Sequence, residues 1–187
     1  MSSEPQKANP NVQAIRHSFG RVVYSHKTHE KAREIASRNA NMVKWANIIL
    51  TTLTSGTLLA TVITNQRAAL WTSAALSALT LAFVVFQLSF DPAKEAERHR
   101  TTAKELWLVR EQYINLLADI AANSDAVDIP KLRDELTDQL QAIYKFAPDT
   151  TGKAYLAAQK ALKVSEDMTF GEEEINAFLP ESLHQPA

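Results

Sequence analysis

His26 and His29, followed by Glu30, form the first combination in the chain with metal-ligating chemistry, because imidazoles three residues apart share one face of a helix. The string HKTHE is neither HExxH nor HxxEH, the spacings that set two ligands beside a general base in zinc hydrolases. A solvated basic helix accounts for it better. Glu95 and His99, four apart, read as a helix surface pair. Arg110 falls on an otherwise apolar stripe, where it either meets a carboxylate of the C-terminal tail or marks an oligomer contact, and both readings stay open. There is no cysteine, so no disulfide, thiolate metal site or cysteine nucleophile is available. Gly20, Gly56, Gly152 and Gly171 are too scattered to build a phosphate-cradling loop or a dinucleotide fingerprint. No nucleophile–base pattern stands out. The expectation is a non-enzyme with no catalytic residues, cofactor or metal.

The polar residues of greater interest lie inside two strongly apolar stretches, WANIILTTLTSGTLLATVITNQ and AALWTSAALSALTLAFVVFQLSF. In the first, Asn47, Thr51, Thr54, Leu58 and Thr61 follow i, i+4, i+7, i+11, i+14; in the second, Ser73, Ser77, Thr80, Val84 and Gln87 repeat that spacing. Each set occupies one helical face, with Ser55 and Gly56 beside the first. Two readings compete for Asn47, Thr51, Thr54, Thr61, Ser73, Ser77, Thr80 and Gln87. Either these stripes line a channel when several hairpins assemble, or small and hydroxyl residues let neighbouring helices approach and hydrogen-bond. One hairpin has too few walls to enclose water, so a pore requires self-association.

The elements that carry these stripes follow from where charge is missing. The 187-residue chain holds 20 Lys plus Arg against 21 Asp plus Glu, a formal charge of -1 that argues against a nucleic-acid binder relying on bulk charge. Residues 1–44 carry net +5, residues 45–66 and 68–90 carry no charge at all, and residues 125–187 carry net -6. About 20 helical residues match a hydrocarbon core of roughly 30 Å, so spans are expected at about 44–64 and 68–90. Only Asn65, Gln66 and Arg67 join them, which permits nothing but a tight reversal. Helices of a small soluble bundle would need a polar outer face, and Ser and Thr do not supply a charged one. No Asp, Glu, His or Arg lies within either span, which argues against a proton relay or ion-coupled transporter.

Lys27, Lys31, Arg33, Arg38 and Lys44 precede the first span, and Lys94, Arg98, Arg100 and Lys104 follow the second, while the tip offers only Arg67. The positive-inside rule then places both termini in the cytoplasm, with Trp45 and Trp71 near opposite interfaces. Residues 1–20 mix Pro, Asn, Ser and Gln and are expected to be mobile. From Val22 to Lys44 a thin apolar stripe predicts a helix running unbroken into the membrane. Asp91-Pro92 opens a long amphipathic helix of about 92–122, striped by Ala96, Ala103, Leu106, Trp107, Tyr113, Ile114 and Leu117. The tail, 125–187, predicts three shorter helices: one opened by Asp128-Ile129-Pro130, one of about 153–165 after APDTTG, and one capped by Thr169 with Glu172 and running to Leu179. With no strand run, the fold class is all-α: a membrane hairpin with long cytoplasmic helical extensions and a C-terminal helical tail.

This layout, with FDPAKEAERHRTTAKELWLVREQYINLLADI, then IYKFAPDTTGKAYLAAQKAL and MTFGEEEINAFLPESL, resembles the SLATT domain, the SMODS- and SLOG-associating two-helix transmembrane effector domain. The likeness runs over roughly residues 15–185, with the two-span domain proper at 21–124. The resemblance implies a bacterial conflict-system effector of the inner membrane that assembles into a homo-oligomer and breaches the bilayer on infection. It also implies an operon-encoded partner: a nucleotide sensor, a nucleotidyltransferase or a reverse transcriptase. The other class of function is a membrane scaffold or receptor whose cytoplasmic helices bind a signalling partner while the hairpin only anchors. The charge split adds one further pair of readings. The acidic tail either folds back on the basic juxtamembrane helix to restrain assembly, or simply completes a helical bundle.

Overall fold

The computed structural model describes residues 9–64, 66–180, 182 and 184. Helix α1, Pro10–Thr64, is a single 55-residue rod, roughly 80 Å long at ~1.5 Å per residue. Nothing between Val22 and Thr64 breaks it, because Gly20 and Gly56 lie in its interior without a proline to interrupt the hydrogen-bond ladder. The chain reverses at Gln66 into α2, Arg67–Ser89. Phe90 is extended, and Asp91 Oδ1 accepts from the amides of Ala93 and Lys94 at 3.0 Å, opening α3, Pro92–Asn123. A short 3₁₀ turn, Ser124–Ala126, leads to α4, Ile129–Phe146, then α5, Gly152–Lys163, and α6, Glu172–Asn176. Among the described residues there is no strand.

The result is a hairpin along its whole length, α1 lying antiparallel to α2 at one end and to α3 at the other. The α1–α2 end carries both candidate spans, whose most apolar windows are 0% and 6% buried within the chain. Trp45, Leu59, Val62, Trp71 and Leu81 all lie exposed there. Core helices of a soluble bundle would bury those windows, so this end is the membrane part.

The core of the other end gathers Ile15, Val22, Leu106, Val109, Tyr113 and Leu116 with Ile129 and Leu136 of the tail. Two local signals fix how the tail docks. Asp128 caps α4 by accepting from the Lys131 amide, with Pro130 in its first turn. Thr151 caps α5 by accepting from the Ala154 amide at 3.2 Å. α5 then presents Ala154, Ala158 and Ala161, all buried, so that it packs closely on α1.

Three expectations need correction. Residues 10–20 are not mobile chain: α1 begins at Pro10, and Ile15 is fully buried because α3 and α4 close over it. Residues 1–8 lie outside the described residues. The last helix is shorter than Thr169 and Glu172 suggest, starting after Gly171 and ending at Asn176. Glu166 and Met168 both adopt positive φ, at 52° and 72°, and this turn carries Asp167 back to α1 and takes Thr169 out of the capping position.

Candidate functional site

The membrane hairpin is zipped by a seven-residue repeat on each helix. On α1 the seam positions are Val43, Asn47, Leu50, Thr54, Thr57 and Thr61; on α2 they are Ala69, Ser73, Leu76, Thr80, Phe83 and Gln87, all half-covered except the buried Ser73. Alternating steps of four and three keep one seam facing its partner, as in a coiled coil. The Oγ1 atoms of Thr54 and Thr80 are hydrogen-bonded at 2.9 Å, and Thr61 Oγ1 bonds Ser73 Oγ at 3.0 Å. The same antiparallel register sets Asn47 opposite Gln87, giving three polar layers one heptad apart. In that third layer the Asn47 Oδ1 acceptor and the Gln87 Nε2 donor are buried and unbonded.

Six of the eight candidate residues therefore meet inside one hairpin. Ser77 sits beside the seam, and Thr51 stands outside it, exposed. The hydroxyls also find partners within their own helices. Thr54, Thr61, Ser73 and Thr80 each lie 2.8 Å from the carbonyl one turn earlier, as do Thr52 and Thr64. With one proton per hydroxyl, one member of each cross-seam pair donates across the seam while the other donates to its own helix. Such back-bonding lets a hydroxyl sit in hydrocarbon without an orphaned donor.

Below the membrane the α1–α3 contact is built differently. His26, Lys27, Thr28 and His29 are all buried, between 4% and 8% exposed, and His99 is 2% exposed. The expectations of a solvated helix at His26–Glu30 and of a surface pair at His99 are thus overturned. His26 Nδ1 donates to the Ala103 carbonyl at 2.8 Å, and the Nδ1 atoms of His29 and His99 share a hydrogen bond of 2.9 Å. One ring of that pair must donate and the other accept, which requires both to be neutral or one charged. Burial holds His29 well below the ordinary imidazole range, at about 4, and the neighbouring His99 and His26 push the same way. Burial also lowers His26, against the upward pull of its Ala103 hydrogen bond and of Glu30, and lowers His99 against the pull of Glu95. Glu95 lies 3.9 Å from His99 Nε2. Among the described residues no three His, Asp or Glu side chains converge as a metal site.

Lys27 ties the tail to this region. Its ammonium sits 2.9 Å from both Glu30 and Asp167. Desolvation alone would depress Lys27, but hydrogen bonds to Asp167 and Glu30 leave it above its usual value. Among the described residues Arg110 pairs with no tail carboxylate. It bonds the adjacent Glu111 at 2.8 Å and lies 4.6 Å over the Trp107 ring.

The signal for the buried histidines was in the sequence. Val22, His26, His29, Ala32 and Ala36 continue one apolar face of α1, and Ala96, His99, Ala103 and Leu106 one face of α3. Reading the imidazoles as part of those stripes, rather than as solvated helix surface, finds them.

A family model described as SMODS and SLOG-associating 2TM effector domain family 4 matches residues 12–174. No curated protein and no solved structure matches the chain.

Proposed function

The chain belongs to family 4 of the SMODS- and SLOG-associating two-transmembrane effector domains, and from that premise we propose that it is a bacterial defence effector that oligomerises in the inner membrane and permeabilises it on activation. Cell death or growth arrest follows from the breach. Both termini lie in the cytoplasm, where Lys27–Lys44 and Lys94–Lys104 supply the positive flanks. The action is physical rather than enzymatic, its partners being the bilayer, further copies of the chain and an operon-encoded sensor, nucleotidyltransferase or reverse transcriptase.

The observation that carries this reading is a hairpin of two charge-free spans whose outer faces none of the described residues covers, continuous through α1 with an extramembrane bundle able to receive a signal. In an assembly, Thr51 and Ser55 offer exposed hydroxyls outside the seam, whereas Thr54, Thr61, Ser73 and Thr80 are engaged within it. A pore lined by hydroxyls alone would discriminate weakly between ion signs. The test is leakage of an encapsulated dye from liposomes holding the full-length protein, with and without the neighbouring gene product. Release only after activation supports the proposal; intact liposomes under all conditions overturn it.

One observation favours the second reading, a scaffold or receptor. Two of the three polar layers are hydrogen-bonded inside a single hairpin, which is all that an anchor needs. Partner capture without leakage would establish it.

A further inference from the structure

An open groove of about 640 Å³ lies where α1 meets α4 and α5, at the end of the bundle remote from the membrane. That volume falls within the ~300–1,000 Å³ range of small-molecule sites. Its charged lining is one-sided: Arg16 and Arg21 line it and no carboxylate does. Among the described residues neither arginine forms an ion pair, in a chain whose charges otherwise nearly cancel. Arg21 is instead steadied by donating to Ser18 Oγ at 2.8 Å.

Three phenols complete the lining. Tyr24 comes from α1, Tyr144 from α4 and Tyr155 from α5. Tyr144 and Tyr155 are 43% and 47% exposed, Tyr144 is oriented by donating to Ser25 Oγ at 3.0 Å, and Tyr155 stacks on Tyr24 with ring centroids 6.3 Å apart. Guanidinium groups grip phosphates through paired N–H donors, and open aromatic faces take nucleobases by stacking. A groove offering both, with no acid to repel the anion, selects a ligand that carries phosphate and a flat ring together.

We propose that this groove binds a soluble nucleotide, its phosphate on Arg16 and Arg21 and its base on the exposed face of Tyr155 or Tyr144. A lipid headgroup is out of reach. Arg21 stands more than twenty residues before Lys44 on the same helix, roughly 35 Å from the membrane entry. The site joins residues of the tail to the helix that continues unbroken into the first span. As the trigger of permeabilisation the ligand rests on the function proposed above; its binding does not, and is measured separately.

The experiment is calorimetric titration of the full-length protein in nanodiscs with adenosine, guanosine and uridine nucleotides, as mono- and dinucleotides. Inorganic phosphate, free nucleosides and a single-stranded decanucleotide serve as comparisons. At least one nucleotide is expected to bind tenfold or more tightly than either its nucleoside or phosphate. Arg16→Ala and Arg21→Ala should each weaken it about tenfold, Tyr155→Ala similarly, and Tyr155→Phe should restore binding. Gly20 gives the variant that separates folding from binding. It lines the groove, and a Cβ there meets nothing within 4 Å. Gly20→Leu improves helix propensity and should raise the melting temperature while abolishing binding. Saturation by none of the nucleotides, phosphate binding as tightly as any nucleotide, tighter binding of the decanucleotide, or binding indifferent to Gly20→Leu would each overturn the proposal. Nucleotide binding without leakage would leave the groove assigned and the permeabilisation reading refuted.

Discussion

The two halves of the long hairpin use the same helix, α1, and solve its pairing in opposite ways. Against α2 the seam alternates layers of hydroxyls and amides, seven residues apart, with Leu50, Leu76 and Phe83, while most of the large apolar side chains point outward. Against α3 the seam is laid with Ile15, Val22, Leu106, Val109 and Tyr113, joined by the buried imidazoles of His26, His29 and His99, and most charged side chains point outward. Water drives apolar surface together only where there is water. Lipid gives Leu and Val no reason to seek each other, so hydrogen bonds and close approach take over. The inversion occurs within one uninterrupted rod, which makes the membrane boundary legible from side-chain direction alone.

The comparison is broken most severely below the membrane. Leu106 is fully buried among α1, α3 and the tail's contribution to the core. Leu106→Ala should destabilise the extramembrane bundle by about 2–5 kcal/mol, the usual range for such a cavity. Denaturant titration followed by tryptophan fluorescence measures it. A loss below 1 kcal/mol would mean that the bundle is not held by this core.

The next largest effect is pH. The folded state holds His29 neutral down to about 4, whereas the unfolded chain takes up a proton near the ordinary 6.5. The stability this contributes is full above pH 6.5 and is lost as pH falls from there towards 4. At ~1.4 kcal/mol per unit the loss is on the order of 3 kcal/mol, and the lowered His26 and His99 act in the same direction. Melting of the bundle should therefore shift markedly downward between pH 7 and pH 5. His29→Leu with His99→Leu should flatten the dependence. An unchanged slope in that double variant would place the titration elsewhere.

What the sequence makes readable on either side of this comparison is whatever a short window carries. The missing charges locate both spans, Gln66 and Arg67 fall at the reversal, and Asp91, Asp128 and Thr151 start α3, α4 and α5 by capping. What stays hidden is set by distant chain. Nothing local says that residues 10–20 are helical, because Ile15 is buried only when α3 and the tail arrive. His29 looks solvated until His99, seventy residues away, comes to lie against it. The hydroxyl stripes were visible as faces, but the pairing of Thr54 with Thr80 and of Thr61 with Ser73 depends on the register of the turn. The arginine and tyrosine groove draws on three separate helices, and no window of sequence contains it.

The tail gives a smaller test. Among the described residues the charge split is realised as one bridge, Lys27 to Asp167, while the apolar faces of α4 and α5 provide the rest of the docking. The tail's buried residues complete the bundle, and docking of this kind is what both readings of the tail require. Asp167→Asn should lower the melting temperature by less than either preceding change, because Lys27 keeps Glu30 at 2.9 Å. Protease accessibility of the chain after Lys163 should rise with it. A loss as large as that of Leu106→Ala would show that the bridge, not the apolar face, holds the tail.

The smallest effect lies in the membrane, and it sharpens the comparison most. Thr54→Val with Thr80→Val removes one polar layer while preserving shape. Hydrogen bonds between membrane helices average ~0.6 kcal/mol and reach about 1.7, so hairpin stability in mixed micelles should fall within that range. Because both hydroxyls already face each other and their own helix carbonyls, dye release by an activated assembly should not change. If release instead drops several-fold while stability barely moves, these threonines face water in the active state. The seam must then open, and the hairpin of the resting chain is taken apart to form the pore.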